Sequence, residues 1–304
     1  MAAFTAKDVQ TLRETTGVGM MDCKKALTET EGDMEKAVAY LRERGLAAVA
    51  KKAGRIAADG AVSAVVSDTG AAAIVEVNSE TDFAANSEAF QSFVAGVAHV
   101  IVTQKPADLP ALMACRCDGG STVEEALREK VMTIGENIQI RRFDLIEQPL
   151  NLVYIHMGGK IGVLVNLKVS DALKDNPKVA ELGRDIAMQA AAMRPLWLDT
   201  ASVDPAVLAG EKEIFLAQAL GEGKPQAVAE KMVAGRIHKY HQEFCLLSQP
   251  YVKENKLTVE QHVAQVAKEL GGEIEVTRFV RYEKGEGIEK RQDNFADEVA
   301  GMVK

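Results

Sequence analysis

Aromatic side chains are scarce in this sequence: Phe, Tyr and Trp together make up 5% of 304 residues, and there is one Trp. Apolar residues nevertheless reach 47%, mostly as Ala, Val and Leu, a balance that favours helix-rich packing over a β-sandwich. Positive charge is also short, with 36 Lys and Arg against 44 Asp and Glu for a net charge of −8. Binding to nucleic-acid backbones is driven by clustered positive charge, so a general role of that kind is disfavoured. Long hydrophobic runs are missing. The longest, Phe93–Val102, is interrupted by His99, whereas a membrane span needs about 20 apolar residues. The opening stretch Met1–Glu14 has neither a basic region nor an apolar core and does not read as a signal peptide. Cysteine is limited to Cys23, Cys115, Cys117 and Cys245. Cys115-x-Cys117 has no second pair and no nearby His, so ordinary thiols in a reducing compartment are expected rather than zinc. A cytoplasmic protein of two or three compact units follows.

The first fifty residues carry three short helical patterns. Thr5 and Asp8 form a capping-box variant ahead of Val9 and Leu12, and Thr16–Gly19 breaks the helix. Met20, Met21, Cys23, Ala26 and Leu27 pattern the second, and Met34, Ala37, Val38 and Leu41 the third. Arg42, Arg44 and Gly45 are expected to close that third helix. The Ala- and Lys-rich stretch Leu46–Ala58 reads as a helical connector.

From Gly60 the period changes to two. Ala61–Ser67 and Ala72–Asn78 flank Asp68-Thr-Gly70 as a hairpin, and helices are expected from about Ser87 and near Val123–Ile134, then a strand at Ile138–Leu145. The order then recurs. Gly159 matches Gly70, and Arg194-Pro matches Lys105-Pro, 89 residues on. Thr258-Val-Glu matches Thr122-Val-Glu, and Arg278-Phe matches Arg142-Phe, 136 residues on. Two β-β-α-α-β units result, the second with a 47-residue insertion between Pro195 and Thr258. Val207–Leu220 and Gln226–Leu247 have helical spacing around Gly221–Pro225, so the insertion reads as a helical hairpin. Phe295, Val299 and Met302 stripe a short C-terminal helix with no partner in its own unit.

Chemistry-bearing motifs are few. Asn78–Asn86 is a polar, acidic connection that contains Phe83. Either Phe83 folds back onto its own core, or it is an exposed wedge beside Asp82, which could itself be a helix-start cap. Met20 and Met21, with Lys24 and Lys25 one turn later, fit an adaptable protein-binding surface or the core of a small bundle. Gly158-Gly-Lys-Ile-Gly162 lacks phosphate-loop spacing and a following helix. Lys231, Arg236 and Lys239 read as a solvated basic face. None of the five His stands beside a plausible nucleophile, and no nucleophile-elbow, zinc-protease or dinucleotide pattern occurs. A binding protein is favoured over a covalent catalyst, with no cofactor and no metal of its own.

Leu12–Leu27 resembles the N-terminal signature of the elongation factor Ts family, and Glu76–Phe83 resembles its second. Similar stretches occur at Ile134–Asn137, Gly159–Gly162, Glu230–Val233 and Gly285–Lys290, so the resemblance covers essentially the whole chain. It implies an α+β fold: a ubiquitin-associated-like helical domain at 1–50 and a connector at 51–59. Core repeats follow at 60–149 and 150–283, the second holding a hairpin at about 204–250, and a C-terminal module occupies 284–304. It also implies a guanine nucleotide exchange factor whose partner is elongation factor Tu, with no direct nucleic acid or membrane contact. Thr81, Asp82, Phe83 and Ala84 would disturb the partner's Mg²⁺ indirectly, with Phe83 as a wedge. Met20, Met21, Lys24 and Arg13 would supply the N-terminal contact, and Phe295, Val299 and Met302 the C-terminal one. Assembly as pairs of pairs through the hairpin stays open, as does a second function class: an adaptor or chaperone-like protein that uses the N-terminal domain without exchange activity. Ala84-Ala-Asn86 departs from the bulky-then-basic continuation usual after Asp-Phe, and Cys115–Gly120 matches no feature of the family.

Overall fold

A computed structural model describes residues 4–16 and 18–289. It opens with α1 (Ala6–Thr16), α2 (Met20–Glu29) and α3 (Met34–Lys52). The Thr5 backbone N–H and hydroxyl both donate to the Asp8 carboxylate, at 2.7 and 2.8 Å, starting α1 as the spacing predicts. Leu12, Cys23, Ala26, Leu27 and Leu41 close a small core between the three helices.

Two units follow. The first runs β1 (Asp59–Val66), β2 (Ala72–Ser79), the single turn α4 (Asp82–Ala85), α5 (Glu88–Gln104), α6 (Leu109–Ala114), α7 (Val123–Ile134) and β3 (Gln139–Ile146). The second runs β4 (Asn151–His156), β5 (Ile161–Val169), α8 (Pro177–Met193), α9 (Pro205–Gly221), α10 (Gln226–Phe244), the ribbon β6 (Pro250–Tyr251) and β7 (Glu254–Thr258), α11 (Val259–Leu270) and β8 (Ile274–Glu283). Both sheets are antiparallel, ordered β1-β2-β3 and β4-β5-β8.

Side-chain alternation explains how the sheets stack. Every residue of β2 is buried. Ala73, Val75 and Val77 point into a core shared with α5 and α7, while Ala72 and Ile74 join Leu164, Val280 and Tyr282 of the other sheet. In β5, Val163, Val165 and Leu167 face α8 and α11. Two sheets therefore pack face to face with helices on both outer sides. Gly162 sits in this interface, where a Cβ would overlap Val62 Cγ1. Gly159, at φ 95°, would place one 3.0 Å from the Val62 carbonyl oxygen. Gly159 and Gly162 serve close sheet packing.

The duplication shows in matching special positions. Lys105 and Arg194 end α5 and α8 in the left-handed conformation, at φ 51° and 49°. Thr122 and Thr258 form full capping boxes with Glu125 and Gln261, and Gly135 and Gly271 close those helices. The middle strands are offset by 90 residues rather than 89. Glu76 faces Arg142 and Asn166 faces Arg278, each beside a bulge, because the second hairpin turn is one residue longer.

Several expectations require correction. Gly45 does not end the third helix, which continues into the supposed connector. Its backbone is not left-handed, and its role is space, since a Cβ would lie 2.6 Å from Met132 Sδ on α7. The N-terminal bundle thus leans on the first unit, and the Lys52 ammonium donates to the Val131 carbonyl at 3.1 Å. Helix α6 was not anticipated; Asp108 caps it and its Pro110 is tolerated in the first turn. The hairpin ends at Phe244, because Leu246 is fully buried in the second unit's core. The basic side of α10 is partly spent within the hairpin, where Arg236 bonds Gln218 and Glu222 at 2.8 and 3.2 Å.

Candidate partner-binding site

The connection from β2 to α5 is too polar to bury and too short to hold a helix by itself, yet it forms the helical turn α4. Its order comes from neighbouring groups. Thr81 is the N-cap, its hydroxyl accepting the Ala84 N–H at 3.2 Å. Ser79 Oγ donates to the Thr81 carbonyl at 3.1 Å, and Ser87 Oγ to the Ala84 carbonyl at 2.7 Å. Cap duty therefore falls to Thr81, and Asp82, in the first turn, is left exposed. Ala84 and Ala85 turn inward and are buried, so the helical geometry sends Phe83 out. Phe83 is 86% exposed, the most exposed large apolar side chain among the described residues. It does not fold back onto its core.

Glu136, on the turn between α7 and β3, braces this segment. Its carboxylate accepts the Glu80 and Thr81 N–H groups, both at 3.0 Å, and the Thr81 hydroxyl at 2.6 Å. The Glu80 carboxylate accepts the Asn137 N–H at 2.7 Å, and Asn137 Nδ2 donates to the Arg55 carbonyl at 2.7 Å. Ile134–Asn137 had stood out in the sequence, but no spacing rule joins Glu136 to Thr81, 55 positions away.

On α2 the helical period separates roles in the same way. Cys23, Ala26 and Leu27 face the bundle core, while Met21 is 72% and Met20 44% exposed. Lys24 and Arg13 are exposed as well. Phe295, Val299 and Met302 lie outside the described residues. Just before them, Lys284 Nζ donates to Asp59 at 2.6 Å and the Gly285 N–H to Glu76 at 2.7 Å, anchoring the end of β8 to the first unit.

All four cysteines are free thiols. Cys115 occupies the place in the short α6–α7 connection that Gln249 occupies in the long one: the Val123 and Val259 N–H groups donate to the Cys115 and Gln249 carbonyls. Burial pushes the Cys245 thiol up to about 11. Among the described residues, no group of three or more His, Cys, Asp or Glu is arranged to hold a metal ion, and no helix is long and apolar enough to cross a membrane.

The family model for elongation factor TS matches residues 80–286. An elongation factor Ts from Clostridium perfringens (strain SM101 / Type A) is 51% identical over 302 residues, covering 98% of this chain and 99% of its own. One from Symbiobacterium thermophilum is 52% identical over 304 residues, covering 98% of each chain. The chain belongs to the elongation factor Ts family. A third relative, from Clostridioides difficile (strain 630), is 49% identical over 306 residues and spans both chains completely. Within this chain, the family match starts at Glu80, beside the exposed Phe83, and stops at Glu286, at the anchored end of β8.

Proposed function

We propose that this chain is a cytoplasmic guanine nucleotide exchange factor for elongation factor Tu. It acts in translation elongation by protein–protein binding, with no covalent chemistry of its own. The observation that carries the proposal is Phe83, an exposed aromatic on a braced helical turn beside an exposed carboxylate. An aromatic ring presented on an ordered turn suits an interface anchor that fills a partner's pocket. Phe83 enters the partner's nucleotide-binding domain as a wedge, with Asp82 beside it. Met20, Met21, Lys24 and Arg13 add a second contact, and the C-terminal stripe of Phe295, Val299 and Met302 a third.

Nucleotide affinity in such a partner rests heavily on Mg²⁺ bridging phosphate and protein oxygens, so a displacement that loosens the ion releases GDP. Linkage makes the effect mutual: GDP weakens binding of the factor as much as the factor weakens GDP. A 10⁴-fold faster release needs only about 5.5 kcal/mol, within reach of a few buried anchors. The test is release of a fluorescent GDP from elongation factor Tu with and without this protein. Strong acceleration is expected. Stable binding of the partner with unchanged release would instead favour the adaptor function.

A further inference from the structure

The turn that presents Phe83 is four residues long, and a helical turn of that length cannot hold itself, because nucleation fixes several dihedral angles for one hydrogen bond. Its order must be imposed from outside. Ser87 and Gln91 hold its carbonyls at Ala84 and Ala85, and a single carboxylate holds its start: Glu136 accepts three donors from the two residues preceding Asp82. The Thr81 hydroxyl gives its proton to Glu136 Oε1, which turns a lone pair of the same oxygen toward the Ala84 N–H. A continuous chain of bonds thus leads from Glu136 through Thr81 to the peptide that follows Phe83. The Glu80 carboxylate returns the bond by accepting the Asn137 N–H, so the two loops clasp each other. Bonds to an ionised acceptor are roughly twice as strong as neutral ones, which suits an exposed loop.

From this geometry we infer that Glu136 is a positioning residue for Phe83: it pre-orders the turn so that the ring enters the partner without first paying to become ordered. The inference rests on the proposal that Phe83 is the exchange wedge. Glu136 touches neither nucleotide nor Mg²⁺. It acts through Thr81.

The experiment measures fluorescent GDP release from elongation factor Tu across a range of factor concentrations, separating the saturated rate from the half-saturating concentration. Glu136→Gln keeps the shape but removes the charge, and its amide has one acceptor oxygen for the backbone donors and the Thr81 hydroxyl where the carboxylate has two. The expected result is a saturated rate lower by about tenfold, with the half-saturating concentration changed less than about twofold. Amide exchange at Ala84 should quicken while the melting temperature holds. In a Phe83→Leu background, which keeps part of the ring's bulk, Glu136→Gln should add far less than it does alone. Thr81→Val, which removes the hydroxyl that links Glu136 to the Ala84 N–H, should shift the saturated rate the same way and decides the matter if Glu136→Gln folds poorly. An unchanged saturated rate, or an equal fall in both backgrounds, overturns the inference. Unchanged release by Phe83→Ala overturns the wedge proposal itself, a result visible apart from any Glu136 variant.

Discussion

The Glu76 carboxylate, at the middle of the first sheet, accepts the backbone N–H of Gly285 at 2.7 Å, a residue 209 positions later at the end of the second sheet. The same fully buried group takes hydrogen bonds from Arg141 at 3.0 Å, Arg142 at 2.6 Å and Asn78 Nδ2 at 3.1 Å. Gly285 is held at φ 68° so close to Ala58 that a Cβ would overlap the Ala58 carbonyl. One carboxylate thus joins β2, β3 and the exit of β8.

Removing that carboxylate should weaken the whole core. Glu76→Ala leaves two guanidinium groups and a buried N–H without their acceptor. We expect a loss of about 3 kcal/mol, at the low end for a broken buried pair because the arginines keep some contact with water. Urea unfolding would measure it. A change under about 1 kcal/mol would show that water replaces the carboxylate and that the link is incidental.

Much of this architecture was legible because periodicity and caps are local. Thr122-Val-Glu and Thr258-Val-Glu announced two equivalent segments, which the structure shows as capped helices, and Lys105-Pro and Arg194-Pro marked two equivalent helix ends. Gly45 misled because a glycine after two arginines looks like a helix end, whereas only the tertiary partner Met132 reveals it as a spacing residue. The site divided along the same line. Phe83 was conspicuous as an aromatic in a polar loop, but its exposure depends on a turn braced by Glu136, a neighbour in space that lies 55 positions from Thr81 in the chain. Glu76 and Gly285, likewise, meet only after the chain has folded.

The distal hairpin should be dispensable for core folding. Ala219, Ala229 and Ile237 are buried in the seam of α9 and α10 themselves, and Trp197, Val203, Tyr240 and Cys245 form a separate cluster at the base. Replacing residues 211–237 with a short Gly-Ser linker keeps that base intact. A single cooperative melt within a few degrees of the full chain is expected. A broad, non-cooperative melt would mean that the hairpin is needed to hold the second unit together.

Alkaline pH should expose the buried thiol. Cys245 titrates near 11 in the folded protein because burial disfavours the thiolate, against about 9 for an unfolded thiol. Between those values the unfolded chain releases a proton that the native state retains, so stability is full below about pH 9 and falls as pH rises toward 11. Burial and the Asp185 and Asp144 carboxylates raise Tyr251 and Tyr282, which adds to the fall. Urea midpoints at pH 8, 9.5 and 11 should decline, and Cys245→Ala should flatten the curve. At pH 8, alkylation should mark Cys115 well before Cys245 or the likewise buried Cys23. Rapid labelling of Cys245 in the native protein would contradict the packing of the hairpin base.

The wedge itself separates stability from activity. With 86% of its surface in water, Phe83 contributes little to folding, so Phe83→Ala should leave the melting temperature nearly unchanged. A buried Phe→Ala would cost about 3–5 kcal/mol and could not be missed in a melt. GDP release from elongation factor Tu should slow sharply, while the nucleotide-free complex still forms through the N-terminal contact of Met20, Met21 and Lys24. Asp82→Ala should slow release more mildly, since Thr81 rather than Asp82 caps the turn and the ring keeps its place. If Asp82 acts by setting the ring against the partner, the double variant loses less than the sum of the two singles, as neighbours with one task do. Full additivity would give Asp82 an independent contact. A large drop in melting temperature with release intact would return Phe83 to a folding role and leave the exchange proposal without its carrying observation.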